Sequence, residues 1–172
     1  SDPNAMALST AGKNNQPSSR IVYLKSFSED GFTFFSNYDS RKAKEIAENP
    51  YATILFFWQS IERQIRIEGT ISKMSAEESD AYFNSRHESS NLSAWASQQS
   101  KVISSRQEIE SRYKYVKAKF ANRTMIRPKY WGGYKLIPGC YEFWQGREDR
   151  LNARFRYSKN IRDEWKIERL TP

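Results

Sequence analysis

The sequence predicts a mainly β protein with inserted helices (α+β), arranged as an antiparallel barrel or sandwich. Short runs rich in β-branched and aromatic residues occur in both the first and the last third of the chain. The clearest helical patterns lie between these runs, so strands and helices do not alternate as they do in a parallel sheet. The chain has 172 residues, which suits one core, and we predict a single domain over residues 1–172.

The first third predicts a hairpin and then a short helix. RIVYLKSF and GFTFFSNY are apolar, β-branched or aromatic runs separated by a polar turn, which is typical of paired strands. Ser40 is the type of residue that caps a helix, and RKAKEIAEN follows it. Pro50 cannot continue a helix, so we expect the helix to end before it.

Two further strands are predicted next. YATILFFW is a short, nearly continuous apolar run, which predicts a buried strand. RQIRIEGTISK alternates apolar and polar residues, with Ile65 and Ile67 on one face. Gly69 interrupts this alternation and predicts a bulge or a bend.

The second half predicts helices followed by strands. Ser75 and Glu78 have the spacing of a capping box at the start of SAEESDAYFNSR. SNLSAWASQQS is helical but weakly patterned, whereas SSRQEIESRYKYVKAKFAN is strongly amphipathic. Three strand-like runs follow towards the C-terminus: CYEFWQG, ARFRYS and DEWKIERL.

Composition limits the class of protein. The net charge is +8 and the pI is about 9.6, which favours anionic ligands. Cys140 is the only cysteine, so an internal disulfide is excluded and a reducing compartment is predicted. No apolar run approaches the roughly 20 residues that span a bilayer, and the N-terminus lacks a signal-peptide pattern. We therefore predict a cytoplasmic protein without membrane partners.

Nucleotide and metal motifs are missing from the sequence. There is no G-x-G-x-x-G after a strand and no G-x-x-x-x-G-K-[ST], so any phosphate must be bound mainly by side chains. His87 is the only histidine and lies far from Cys140, which leaves no metal-ligand spacing. We predict no metal site.

Two groups of basic residues are candidates for anion binding. Arg41 and Lys42 begin a helix, where cations are unfavourable for the helix dipole unless an anion binds there. Arg150 and Arg154 follow Trp144, and a guanidinium pair beside an aromatic ring suits a flat phosphorylated ligand. The alternative for each pair is ordinary surface charge.

Helical spacing suggests a further group. On a continuing helix, Tyr82, Arg86 and Ser90 share one face and offer two hydroxyls and a guanidinium to one phosphate. The alternative is a solvated helix face. Arg20 and Lys25 bracket a strand and, by alternation, face opposite sides.

Taken together, these segments resemble the pyridoxamine 5'-phosphate oxidases over nearly the whole chain. The resemblance is carried by particular strings in the right order: SRK after the second strand, the RQ of ERQIRIEG, EFWQG and the closing ERLTP. It implies an FMN-binding split β-barrel, assembled as a homodimer with FMN at the subunit interface.

The resemblance also implies the roles of individual residues. The positions expected to contact FMN are Arg20, Ile21, Val22, Phe35, Ser36, Arg41, Lys42, Gln64, Gln99, Ser100, Trp144 and Arg154. The positions expected to contact substrate are Lys25, Tyr82, Arg86, Ser90, Arg150, Leu151 and Asn152, of which Arg150 and Asn152 are expected to be catalytic.

The implied activity is the oxidation of pyridoxamine or pyridoxine 5'-phosphate to pyridoxal 5'-phosphate. A hydride leaves the C4' carbon for flavin N5, and O₂ reoxidises the flavin and yields H₂O₂. The expected partners are therefore a second copy of the chain, the small-molecule substrate and O₂, without nucleic acid. The +8 charge is consistent with two phosphate sites per protomer.

The sequence departs from the family pattern in one motif. The family reads R-L-H-D-R where this chain reads RLNAR, so Asn152 and Ala153 replace His and Asp. Asn donates a hydrogen bond but does not titrate near neutral pH, which predicts a slower reaction and a flatter pH profile. The chain also begins without the N-terminal arm of its relatives, and we expect weaker substrate binding as a result.

Two alternatives stay open. One is a split-barrel flavoprotein that binds FMN or pyridoxal phosphate but has another substrate or little turnover, which RLNAR favours. The other is a basic nucleic-acid-binding domain, which predicts a colourless protein whose affinity falls steeply with salt.

Overall fold

The structure is a computed structural model that describes residues 2–172. The strands are β1 (Ala5–Ala11), β2 (Pro17–Tyr23), β3 (Ser26–Ser28), β4 (Gly31–Asn37), β5 (Tyr51–Trp58), β6 (Arg63–Lys73), β7 (Trp131–Gln145), β8 (Ala153–Lys159) and β9 (Trp165–Leu170). The α-helices are α1 (Arg41–Glu48), α2 (Ala76–Ser85), α3 (Glu88–Ala96) and α4 (Arg106–Phe120). Short 3₁₀ turns occupy Gln59–Ile61 and Glu148–Arg150.

The strands form a nine-stranded sheet. Its order is β2-β1-β5-β6-β7-β4-β3, with β8 paired to β7 and β9 paired to β8. The pairs with a defined register, such as β1 with β5 and β7 with β8, are antiparallel. The predicted class, mainly antiparallel β with inserted helices, is confirmed.

The chain divides into two compact units. The first, here called the strand unit, runs up to Phe34 and takes in Glu45–Ser72 and Lys135–Pro172. The second, here called the helical unit, comprises Phe35–Lys44 and Lys73–Tyr134 and contains α2, α3 and α4. The prediction of a single domain stays a prediction.

The core of the strand unit comes from one face of each strand. Met6 and Leu8 alternate with partly buried positions on β1 and are fully buried, as are Ile54, Ile67 and Leu136 on β5, β6 and β7. The prediction for YATILFFW was only partly right. Its burial alternates along β5, so that this strand is buried on one face and not on both.

The predicted strand RIVYLKSF is divided between two partners. The β2 part pairs with β1, whereas the β3 part pairs with β4. The change occurs between neighbouring residues, because Leu24 N donates to Asn4 O and Lys25 N donates to Thr33 O. The prediction of one long strand over RIVYLKSF was therefore wrong, although the hairpin through GFTFFSNY is confirmed.

Gly69 does not form a bulge. The register of β5 and β6 continues through it, with Ala52 opposite Gly69 and Thr53 opposite Glu68. A Cβ at this position would collide with the Ile137 carbonyl oxygen. The glycine thus allows two backbones to approach closely, which was not the reason predicted.

Local signals at the helix starts were predicted correctly. Ser40 Oγ accepts from Ala43 N at 3.4 Å, and the helix ends at Glu48, before Pro50. At α2, Ser75 Oγ accepts from Glu78 N at 3.1 Å and Ser75 N donates to Glu78 Oε2 at 2.9 Å. Within residues 2–172, the helices lack the combination of length and apolar character that crossing a membrane requires.

Candidate functional site

The first cluster of predicted site residues lies in the helical unit and is here called the lysine cluster: Ser36, Arg41, Lys42, Gln99 and Ser100. Lys42 Nζ donates to Gln99 Oε1 at 2.9 Å and to Ser36 Oγ at 3.1 Å. The Lys42 side chain reaches these groups from the first turn of α1, and the residue is only 7% exposed. A buried ammonium, a hydroxyl and an amide side by side are groups that suit an anion.

The start of α1 adds backbone donors to the lysine cluster. Arg41 N donates to Ser100 Oγ at 3.2 Å, and the first turn of α1 contains no acidic residue. Ser100 has a left-handed backbone with φ of 68°, which is uncommon for a residue other than glycine and concentrates at functional sites. The structure therefore brings together five of the residues predicted to contact FMN.

Tyr82, Arg86 and Ser90 do not lie on one continuing helix, which was the condition for their sharing a face. α2 ends at Ser85, and Arg86 has an extended backbone with φ of −80° and ψ of 155°. A new helix begins at once because His87 caps it, with Nδ1 accepting from Ser89 N at 3.3 Å. The His87 side chain thus satisfies one of the free backbone N–H groups at the start of the new helix.

The break nevertheless brings Arg86 and Ser90 together. Arg86 Nη2 donates to the Ser90 backbone oxygen, and not to its hydroxyl, at 3.1 Å. Tyr82 stacks on Phe35, with ring centroids 3.8 Å apart and planes 19° apart. Burial lowers the pKa of Arg86 from its ordinary value, and the nearby Tyr82 phenol opposes this shift. The guanidinium stays charged at neutral pH.

A second group of predicted residues lies in the strand unit. Trp144 on β7 pairs with Arg154 on β8. The Arg154 guanidinium donates twice to Glu142 Oε1, from Nε at 3.0 Å and from Nη2 at 2.8 Å. Arg66 Nη2 donates to the other carboxylate oxygen, Glu142 Oε2, at 2.7 Å, and Glu142 is 3% exposed. A buried carboxylate thus fixes the arginine beside Trp144.

Gln64 and Trp144 line one cavity of the strand unit. The cavity has a volume of about 760 Å³, within the usual range for small-ligand pockets. Most of the other side chains that line it are apolar or aromatic, including Trp58, Ile61, Ile65, Phe143 and Phe155. Such a cavity suits a planar ring with a few polar atoms.

The RLNAR motif begins in a tight turn. Asn152 Oδ1 accepts from Arg147 N at 3.1 Å and closes the loop. Asp149 and Arg150 both have left-handed backbones, with φ of 55° and 61°. Leu151 is 70% exposed. The side chain that replaces the family's histidine is therefore used, through its oxygen, to hold the loop that carries Arg150.

The predicted residues on β2 have other surroundings. Arg20 donates to Glu45 Oε2 at 3.3 Å and to Thr10 Oγ1 at 2.5 Å. Val22 is buried and Ile21 is exposed, as expected from strand alternation. Lys25, just beyond the strand, has its ammonium 5.5 Å from the ring centroid of Tyr23. The partners of Arg20 lie on β1, β2 and α1, unlike those of Arg154.

Three residues with clear roles in these groups were missed by sequence reasoning. Glu45 and Glu142 are buried carboxylates that hold predicted site arginines. Asn91 Oδ1 accepts from Arg86 Nη1 at 3.1 Å. Glu142 is the first residue of the EFWQG string, and that string was the one available signal; on the sheet Glu142 lies opposite Arg156, two residues from Arg154. No signal in the sequence pointed to Asn91, because its contact with Arg86 depends on the break between α2 and α3.

Comparison with known proteins gives the class of protein that these features define. Residues 1–120 match the family described as pyridoxamine 5'-phosphate oxidase. Residues 131–172 match the pyridoxine 5'-phosphate oxidase C-terminal dimerisation region. The chain belongs to the pyridoxamine 5'-phosphate oxidase family, a family of oxidoreductases.

Individual relatives agree with this assignment. The chain is 51% identical over 171 residues to a pyridoxine/pyridoxamine 5'-phosphate oxidase of Bordetella avium, covering 99% of this chain and 80% of that one. It is 52% identical to the protein of the same name from Paraburkholderia phymatum, with the same coverage. The crystal structure of PhzG from Burkholderia lata 383, in complex with tetrahydrophenazine-1-carboxylic acid, is 31% identical with a TM-score of 0.94. That match covers 100% of this chain and 84% of PhzG.

These findings confirm the split β-barrel fold that the resemblance implied. Family membership also indicates FMN as the cofactor, and the match to the dimerisation region supports a homodimer. The roles of individual site residues stay predictions.

The residues present fit FMN. Its phosphate ester needs cations, hydroxyls and backbone N–H groups, and the lysine cluster contains all three. Its ring needs a flat, mainly apolar space with amide groups at the edge, and the cavity beside Gln64 and Trp144 has that character. Among residues 2–172, no three His, Cys, Asp or Glu side chains are grouped to bind a metal ion.

Proposed function

We propose that the protein is an FMN-dependent oxidase of vitamin B6 phosphates. It converts pyridoxamine and pyridoxine 5'-phosphate to pyridoxal 5'-phosphate with O₂ as the electron acceptor. It acts as a homodimer with FMN at the subunit interface, to which both copies contribute residues.

The observation that carries this proposal is the lysine cluster. Lys42 presents a buried ammonium beside the hydroxyl of Ser36 and the amide of Gln99, next to the N-terminus of α1. A dianionic phosphate ester is the ligand that this donor set suits. Within this family, FMN supplies such a group.

The remaining side chains have separate tasks in this proposal. Gln64 and Trp144 bind the flavin ring in the strand-unit cavity, Gln64 through its amide and Trp144 through its ring. Arg86, Lys25, Tyr82 and Ser90 bind the substrate phosphate. Arg150 lies over the pyridine ring, and Asn152 holds the loop that carries it.

FMN, when bound, supplies the redox chemistry by accepting a hydride from the substrate carbon and passing two electrons to O₂. The balanced reaction of the amine consumes O₂ and water and releases ammonia and H₂O₂. The protein aligns the two rings and excludes competing geometries, which is the main task of a protein that uses such a cofactor. Asn152 does not exchange a proton near neutral pH, so we assign it no acid–base role.

A second candidate is a flavoprotein of the same fold with another substrate. Asn152 in place of histidine favours it, as does the similarity to PhzG, whose crystal structure is a complex with tetrahydrophenazine-1-carboxylic acid. This candidate predicts bound FMN that pyridoxamine 5'-phosphate does not reduce.

An absorbance spectrum of the purified protein tests both candidates. The spectrum is recorded before and after anaerobic addition of pyridoxamine 5'-phosphate, and again after air is admitted. The oxidase predicts flavin bands that bleach with substrate and return with air. Flavin bands that stay unchanged would favour the second candidate. A protein that does not bind added FMN would contradict both.

A further inference from the structure

Arg86 has an unusual set of partners for a partly buried arginine. Its guanidinium donates to Asn91 Oδ1 and to the Ser90 backbone oxygen, both at 3.1 Å. Its central carbon lies 4.4 Å from the ring centroid of Trp131. In the part of the chain that the structure describes, no carboxylate forms an ion pair with it.

Two other arginines of the helical unit form ion pairs with carboxylates. Arg127 Nε pairs with Asp80 Oδ1 at 2.6 Å, and Arg112 Nη2 pairs with Glu108 Oε1 at 2.6 Å. Removing a charge from water without a counterion is costly. Burial already disfavours the charged form of Arg86, as the direction of its pKa shows. The full positive charge of Arg86 is therefore kept for an anion from outside the chain.

The side chains that hold Arg86 are themselves fixed. Asn91 is 7% exposed, and its Nδ2 donates to the Phe83 backbone oxygen at 2.9 Å. This bond fixes which end of the amide faces Arg86. Trp131 is also 7% exposed and contacts Phe83 edge to face, with centroids 5.6 Å apart. The guanidinium thus has a defined direction without being neutralised.

We propose that Asn91 is a positioning residue that determines specificity for a phosphate monoester. It orients Arg86 through a neutral oxygen, so that the site binds the phosphorylated form of its ligand in preference to the unphosphorylated form. This inference rests on the proposed function, because it takes Arg86 to be part of the substrate site.

The proposal depends on position 91 being asparagine and not aspartate. Both side chains have nearly the same shape, and both present an oxygen to the guanidinium. A carboxylate at position 91 would pair with Arg86 and compete with the phosphate for its charge. An amide gives the same orientation and leaves the charge available.

The experiment compares wild type with N91D in the FMN-loaded protein. The affinity for pyridoxal 5'-phosphate and for pyridoxal is measured by calorimetry, together with kcat and KM for pyridoxamine 5'-phosphate. We expect N91D to bind pyridoxal 5'-phosphate about tenfold more weakly and to bind pyridoxal as wild type does, since one charge-assisted interaction is lost. KM should rise by a similar factor, and kcat should change little.

Two further variants complete the test. N84D places the same new charge on an exposed residue of α2 and should change neither affinity. N91S stays neutral but loses the bond to Arg86, and should weaken pyridoxal 5'-phosphate binding about threefold while leaving pyridoxal unchanged. N91S decides the question if N91D does not fold.

The outcomes separate the inference from the function on which it rests. A wild-type protein that does not distinguish pyridoxal 5'-phosphate from pyridoxal would contradict the substrate site itself. The second outcome is a wild type that prefers pyridoxal 5'-phosphate to pyridoxal, and variants N91S and N91D that keep the same preference. This outcome would overturn the role of Asn91 and leave the substrate site standing. Equal losses for both ligands would show a merely structural role and overturn it as well.

Discussion

The two units of the molecule hold their functional cations in different ways. In the strand unit, Arg20 and Arg154 donate to the buried carboxylates of Glu45 and Glu142. In the helical unit, Lys42 donates to hydroxyl and amide oxygens, and Arg86 donates to an amide oxygen and a carbonyl. The residue types are similar, but the partners of Arg86 are neutral, whereas Arg20 and Arg154 each have a carboxylate partner.

This difference separates two uses of a cation. A guanidinium that shares its charge with a buried carboxylate is held firmly but has less charge to offer a ligand. Arg86, which is held by an amide oxygen and a carbonyl oxygen, is oriented and keeps its charge. We infer that the helical unit supplies most of the electrostatic attraction for phosphate groups, whereas the strand unit supplies a rigid frame and an apolar cavity.

The largest expected effect is on FMN binding when Lys42 is changed. In K42Q the FMN affinity should fall by about 10- to 100-fold, because a hydrogen bond to a charged group contributes about 1.5–3 kcal/mol. Titration of apoprotein with FMN, followed by quenching of flavin fluorescence, measures this. The matched control is K44Q, since Lys44 lies on the same helix but is exposed. Similar losses of FMN affinity in K42Q and K44Q would show only an effect of net charge. They would contradict a particular role of Lys42 in binding the phosphate.

A smaller effect is expected on stability when Glu142 is changed. E142Q leaves two guanidiniums, those of Arg66 and Arg154, without their shared buried carboxylate. We expect a loss of about 2 kcal/mol in the free energy of unfolding, below the usual cost of a broken buried ion pair because Arg66 is 40% exposed. Urea unfolding of the FMN-loaded protein measures it.

Glu68 offers a control for this variant. It also pairs with Arg66, at 2.9 Å, but its side chain is 46% exposed. E68Q should change the free energy of unfolding by less than about 1 kcal/mol, as exposed ion pairs do. If E142Q is no more destabilising than E68Q, the buried carboxylate of Glu142 does not stabilise the strand unit through Arg66 and Arg154.

The smallest expected effect is on turnover when Asn152 is changed. N152H should raise kcat a few-fold and make it depend on pH between about 5 and 8, because histidine titrates there and asparagine does not. The imidazole must also replace the bond from Arg147 N that Asn152 Oδ1 accepts at 3.1 Å. Recording kcat against pH for wild type and N152H gives the answer.

N160H serves as the comparison for this prediction. Asn160 is likewise a loop residue whose Oδ1 accepts from a backbone N, that of Arg162 at 2.8 Å, but it lies in the β8–β9 turn. N160H should leave the dependence of kcat on pH unchanged. An N152H protein with the wild-type rate and profile would count against an effect of this position on catalysis.

Features that depend only on neighbours along the chain could be predicted from the sequence alone. The capping box of Ser75 and Glu78 and the cap at Ser40 need only residues three positions apart, and both were predicted correctly. The predicted strand over RQIRIEGTISK is likewise confirmed as β6, although only Ile67 and Ile71 are buried along it. Family strings such as EFWQG added the fold, which propensities alone left as a barrel or a sandwich.

Tertiary structure decided what depends on distant groups. Gly69 is required by a carbonyl of another strand, and the strand RIVYLKSF changes partner between Leu24 and Lys25. The break at Arg86 directs the guanidinium towards Asn91, which no spacing predicts. The charge state of a neighbouring partner, amide or carboxylate, is likewise set by packing. That partner decides whether an arginine serves to hold the strands together or to bind a ligand.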